Sequence, residues 1–159
     1  MSMVADMSYK LALTSQAVAT LGADSVWDEA ISGFLRTFSL WQADQEFGAK
    51  AKADNDWAWH RIAFEGRCGK EWRHCEEIAA EVNDAEAASQ TAEDIHHEAF
   101  VAPYWKALRD VATTPAPTLA AATFKQLLIQ AEEVWNDSAM KSDCMKIVQD
   151  DFSRLAGRA

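Results

Sequence analysis

Glycine and proline are scarce in this chain, six and three of 159 residues, and no stretch alternates with period two around a turn signal as a β-hairpin would. No β-hairpin is therefore expected, and the abundant Ala, Glu, Lys and Gln favour helix. Long apolar runs are also missing, so no membrane-spanning helix is expected. The opening MSMVADMSYKLALTS has neither a basic region nor a continuous apolar core and does not read as a secretory signal. The three cysteines are an odd number without CxxC spacing, which suits small core side chains in a reducing compartment, and a cytoplasmic setting is expected.

Basic residues are the other shortage, 15 against 25 acidic ones for a formal net charge of -10. Neutralising phosphates needs clustered Lys and Arg, so direct nucleic-acid binding is disfavoured. Because the acids look interleaved with Lys and Arg, solubility is their first explanation. The sharper alternative is a negative face that docks on a basic protein, as in an acidic inhibitor of a DNA-binding protein. The length suits a single domain over 1–159 with one core.

What is present is helical patterning. From Asp54 to Val82 the residues Trp57, Phe64, Cys68, Trp72, Cys75, Ala79 and Val82 recur at helical spacing, which predicts one long central helix. On such a helix Cys68 and Cys75 would lie about 10.5 Å apart, too far for a disulfide. Asp54, Asn55 and Asp56 are its candidate caps, and Gly66 and Gly69 mark either a bend or a close approach of another helix. Upstream, Trp27, Ile31, Phe34, Phe38 and Trp41 form a heptad-like seam that must be covered, by core or by another subunit. Asp24 and Ser25 are cap candidates for this helix, with a capping box from Ser25 to Asp28. Gly48 closes it, and AKAKADN follows as a linker.

The first 22 residues are expected to be helical, with Met7, Leu11, Val18 and Leu21 as the stripe and Gly22 as terminator, although Tyr9, Leu11 and Leu13 alternate as a strand would. NDAEAASQTAED either continues the central helix or turns, with Thr91 and Asp94 as a capping box. Ile95, Val101, Trp105, Leu108 and Val111 predict a helix to Ala112 in which Pro103 imposes a kink or a new first turn. Pro115 and Pro117 break the chain, and Thr118 caps a helix presenting Phe124, Leu127, Leu128, Ala131, Val134 and Trp135. A last helix starts near Asp143, with Met145, Val148, Phe152 and Leu155 as its stripe and Gly157 as its stop. The expected fold is all-α: an antiparallel bundle of five to six helices with long central ones.

The segments TTPAPTLAAATFKQLLIQAEE and VQDDFSRLAG resemble the C-terminal half of a group of small helical proteins of alphaproteobacteria. In that group a Thr-Pro-Ala-x-Thr-Leu-Ala motif opens an amphipathic helix and a final helix ends in Asp-x-x-x-Leu-Ala-Gly. Thr114, Pro115, Ala116, Thr118, Leu119 and Ala120 match the first motif, and Asp151, Leu155, Ala156 and Gly157 the second; the group's following Gly-Leu is Ala121-Ala122 here. The resemblance implies a helical fold and a bacterial, prophage-like or accessory, cytoplasmic setting, and no activity.

No GxSxG, HExxH, P-loop or Rossmann glycine pattern is present, and no cofactor is implied. One constellation could carry chemistry. Glu71 and His74 are spaced i, i+3, as are Glu93 and His96, with Asp94 and His97 one step on. Bundles holding two carboxylate-bridged metal ions use two such pairs plus a Glu from each of two other helices, for which Glu29, Glu46 and Glu132 are available. Against it, Arg73, Glu76 and Glu77 make the first pair's surroundings a solvated face. Seven tryptophans exceed what one core of this size needs, and aromatics concentrate at interfaces. The leading expectation is a non-enzymatic protein-interaction module, a homodimer or partner-bound protein. Its contact surface is expected among Trp27, Phe34, Trp41, Trp57 and Trp72.

Overall fold

The structure, a computed structural model, describes residues 3–69, 76–140 and 142–157, and all that follows concerns these. They form seven α-helices and no strand: α1 Met3–Val18, α2 Ser25–Phe47, α3 Ala49–Cys68, α4 Glu76–His96, α5 Ala102–Thr113, α6 Leu119–Ala131 and α7 Cys144–Ala156. Only Gly48 separates α2 from α3, and a π-helical turn over His97–Val101 joins α4 to α5, so the helices make five continuous runs. The all-α expectation holds. Length alone suggests one core, whereas the contacts group into two compact units, one drawing on residues up to Phe38 and from Tyr104 onward, the other spanning Ser39–Pro103.

The first unit holds the large core. Its centre is the α2 seam, where Trp27, Ile31 and Phe34 are fully buried and Phe38 nearly so. Phe34 stacks on Phe38 at 5.5 Å and meets Tyr104 of α5 and Phe124 of α6 at 6.2 and 6.3 Å between ring centroids. Leu108 and Val111 of α5, Leu128 and Ile129 of α6 and Val148 of α7 complete it. Trp27 and Phe34 are thus core and not contact surface, because helices of their own unit cover the seam.

Several boundaries follow from local chemistry. Asp24 caps α2, its Oδ1 accepting from the N–H groups of Val26 and Trp27. The expected Ser25–Asp28 box does not form, because the Asp28 carboxylate takes the N–H of Gly22 instead. Gly22 has φ +91°, a left-handed turn that suits glycine. From Tyr9 onward in α1, Leu13 and Ala17 are buried and Leu11 and Val18 exposed, as is Leu21 just beyond the helix. The stripe is set by where α1 packs on α6, which the apolar spacing could not reveal. Thr118 caps α6 by accepting from the N–H of Ala121, and Asp143 caps α7 by accepting from Lys146, both as expected. α6 stops at Ala131, and Glu133 adopts φ +49° before a 3-10 turn over Val134–Asn136. Val134 is therefore buried while Leu127 and Trp135 stay exposed.

The first unit also buries an ion cluster. Lys125, with a fully buried side chain, donates to Asp151 at 2.6 Å and to the carbonyl of Thr114, and its ammonium lies 5.7 Å from the Trp27 ring centroid. Asp151 also accepts from Arg154 at 2.7 Å and from the N–H of Ala116, while Arg154 donates to the Ala116 carbonyl. Burial pulls the Lys125 ammonium below its ordinary range, opposed by Asp151. The cluster pins the Thr114–Ala116 turn, where Pro115 and the following Pro117 disfavour helix, to both α6 and α7.

In the second unit the single long helix expected from Asp54 to Val82 is two. α3 ends at Cys68, capped by Gly69 at φ +63° whose N–H bonds the Glu65 carbonyl, and α4 starts at Glu76. The 10.5 Å separation of Cys68 and Cys75 assumed one helix and no longer applies; Cys75 and Trp72 lie outside the described residues. The helices run antiparallel, as Lys50–Glu93, Asp54–Ser89 and the buried pair Phe64 and Val82 show. No linker precedes α3, because Ala49 to Ala53 are good helix formers. Asp54 is consequently mid-helix and not a cap, pairing with Lys50 one turn back. NDAEAASQTAED continues α4, and the Thr91 hydroxyl bonds the Ala87 carbonyl instead of capping. The irregularity expected at Pro103 is the π turn. Proline offers no N–H to Ala99 and crowds its carbonyl; widening the turn, with the Ala102 N–H bonding the His97 carbonyl, keeps the helix continuous.

Candidate interaction surface

The α3/α4 hairpin is held by a polar ladder at one end and a small apolar contact at the other. At the polar end His96, buried, meets Asp44 Oδ2 through Nδ1 at 2.7 Å. Lys50 bridges Asp54 at 2.7 Å and Glu93 at 2.5 Å, and the Ser89 hydroxyl donates to Asp54 at 2.6 Å. The hydrogen bonds from Lys50 and Ser89 hold the Asp54 carboxyl below its usual range, and those to Asp54 and Glu93 raise the Lys50 ammonium. At the apolar end Trp57 packs against Phe64 and Val82.

Gly48 makes the Asp44–His96 contact possible. Its backbone lies against the Asp44 carboxylate so closely that a Cβ there would collide with both the carboxylate and the Asp44 backbone. At an ordinary helical position alanine is favoured over glycine by about 1 kcal/mol. Gly48→Ala should reverse that sign, lowering stability by about 1–3 kcal/mol as the buried imidazole loses its partner. Asp44→Asn should move the thermal transition in the same direction. A Gly48→Ala protein melting above the parent would show that this contact is not enforced by the missing side chain.

The sequence-derived metal candidates take other partners. Glu93 is engaged by Lys50 and His96 by Asp44, while Glu71 and His74 lie outside the described residues. Among the described residues no group of three or more His, Cys, Asp or Glu is placed to hold a metal ion. Of the suggested companions, Glu132 accepts from the Tyr9 hydroxyl at 2.9 Å and Glu29 lines a cleft of the first unit. His60, expected at an amphipathic boundary, is exposed and stacks on Phe64 at 6.2 Å.

The outer side of α3 is different in kind. Lys50, Asp54, Trp57 and Phe64 face α4, and at 100° per residue Trp59 lies roughly half a turn away from them. Asn55, Trp59, Ile62 and Gly66 follow one another at spacings of four, three and four, with Trp59 63% and Ile62 55% exposed. Of the tryptophans expected at an interface, Trp57 belongs to the hairpin contact and Trp41 is half-buried. Trp59, two residues from Trp57, is the α3 tryptophan left in water. Helix phase sets the two rings about 200° apart, and the side on which α4 lies decides which of them is covered.

Charge is distributed unevenly. Ser39–Pro103 holds fourteen acidic residues against six Lys and Arg, and α4 carries seven acids with neither Lys nor Arg. Within α4 the acids are not interleaved with Lys or Arg, unlike the pattern along the chain as a whole. No helix of the described residues is long and apolar enough to cross a membrane. No family model, curated protein or solved structure matches the chain.

Proposed function

We propose that this protein is a non-enzymatic helical interaction module that self-associates through the outer face of α3. The observation that carries the reading is the heptad-spaced stripe Asn55, Trp59, Ile62 and Gly66, which leaves two large apolar side chains in water on the side of α3 turned away from Trp57 and Phe64. Exposed contiguous apolar surface of this kind marks association sites. Ala58 and Ala63 border the stripe, and the acids Asp56 and Glu65 stand one helical step outside them. A two-fold pairing presents the same patch from each chain, and an aromatic at its centre is the usual energetic anchor.

Light scattering on a size-exclusion column should give a mass of two chains that falls toward one on dilution. Ile62→Lys or Trp59→Ala should shift the protein to single chains at concentrations where the parent is paired, with helix content unchanged in circular dichroism. A parent protein that stays single-chain throughout a concentration series would remove the reading.

A further inference from the structure

A second surface of the hairpin points to a different occupant. Beside the α3/α4 contact runs a groove of about 510 Å³ whose floor is Ala49 and Ala53 from α3 with Ala85 and Ala88 from α4. Small side chains there let another helix approach closely. Asp56, Glu81 and Asp84 rim it, against Lys52 and His60. The neighbouring cations do not neutralise this rim: Lys50 is committed to Asp54 and Glu93, and Arg61 lies over the Trp57 ring at 5.4 Å.

We infer that this groove docks a basic amphipathic helix of a second protein, apolar side chains resting on the alanine floor and Lys or Arg reaching the acids of α4. A helix laid in a groove by its apolar face is a common mode of peptide recognition, and complementary charge both speeds and selects the encounter. A second copy of this chain is the poorer occupant because it brings the same acidic hairpin. The inference rests on the chain being an interaction module but not on its self-association, which uses a different stripe of α3, about a quarter turn away.

The test is an NMR titration of the full chain with a synthetic peptide of about five helical turns, leucine at i, i+3 and i+4 spacing and lysine elsewhere, and with a scrambled peptide of the same composition. The amphipathic peptide should shift the amide signals of Ala53, Ala85 and Ala88, bind about tenfold more tightly than the scrambled one, and weaken steeply as salt shortens the screening length. Ala88→Phe, at an exposed position, should fill the floor and cost about tenfold in affinity without changing the mass seen in light scattering. Glu81→Lys with Asp84→Lys should weaken it similarly while the helix content holds. Trp59→Ala should leave peptide binding intact, so that loss of pairing and loss of docking are read separately. Equal binding of both peptides, shifts that avoid the groove, or no binding at low salt would each overturn the inference.

Discussion

Asp151→Ala is expected to destabilise the first unit by about 3–5 kcal/mol, the usual consequence of stranding a buried charge, with Lys125 as the stranded group. The Lys125 side chain has no exposed surface and that of Asp151 only 5%, so water cannot replace the lost carboxylate. The N–H of Ala116 and one arm of Arg154 lose their acceptor at the same time. Lys125→Met should cost less, about 1–3 kcal/mol, because Asp151 keeps Arg154 and the Ala116 N–H. Urea denaturation followed by circular dichroism reads both. Equal losses for the two variants would mean that the cluster acts as one lysine–aspartate pair and not as a hub centred on the carboxylate.

The same cluster sets an acid limit. Burial pushes the Asp151 carboxyl up, but hydrogen bonds from Lys125, Arg154 and the Ala116 N–H outweigh it and hold the group below its usual range. A carboxyl whose folded value is depressed contributes its full stabilisation above the ordinary carboxylate range and loses it as pH falls through the folded value. The stabilisation contributed by the Asp151 carboxyl should therefore be fully present near neutrality and be lost only in strong acid, as the parent's stability measured against pH would show.

Trp27→Ala should be comparably damaging, about 3–5 kcal/mol for a large aromatic removed from a sealed core. The ring is fully buried, and its indole N–H donates to the Thr20 hydroxyl at 3.0 Å, which itself donates to the Ala17 carbonyl at 2.7 Å. Truncation opens a cavity beneath Lys125 and unties the end of α1 from the start of α2. Trp59→Ala provides the contrast, with a stability change within about 0.5 kcal/mol for an exposed site when the chain is held dilute enough to be single. Two tryptophans of similar helical context would thus separate into a folding residue and a contact residue. A Trp27→Ala protein that melts like the parent but fails to pair would reverse the assignment.

The seam from Trp27 to Phe38 was legible because its spacing is regular and its residues are large, and the caps Asp24, Thr118 and Asp143 because each acts on residues two or three positions ahead. The split of the central helix was less so. Cys68 and Val82 keep helical phase by coincidence, and only the left-handed backbone at Gly69 reveals that Phe64 and Val82 meet across a hairpin and not along one stripe. Glu93 and His96 share a face as their spacing implied, yet that face meets Lys50 and Asp44, partners more than forty residues away in sequence. Lys125, in the middle of an apolar run, gave no sign of burial, since a lysine that close to core leucines ordinarily extends its ammonium to water.

Composition and periodicity by themselves determined that this chain is helical, where α2, α6 and α7 begin, and that the α2 seam is covered, because these depend on interactions within a turn or two of backbone. Tertiary structure alone decided which tryptophan of α3 stays in water, which lysine is sealed, and which acids gather along one edge of a groove. Those outcomes depend on which helix lies alongside, and a one-dimensional pattern records the face of a helix but not its neighbour.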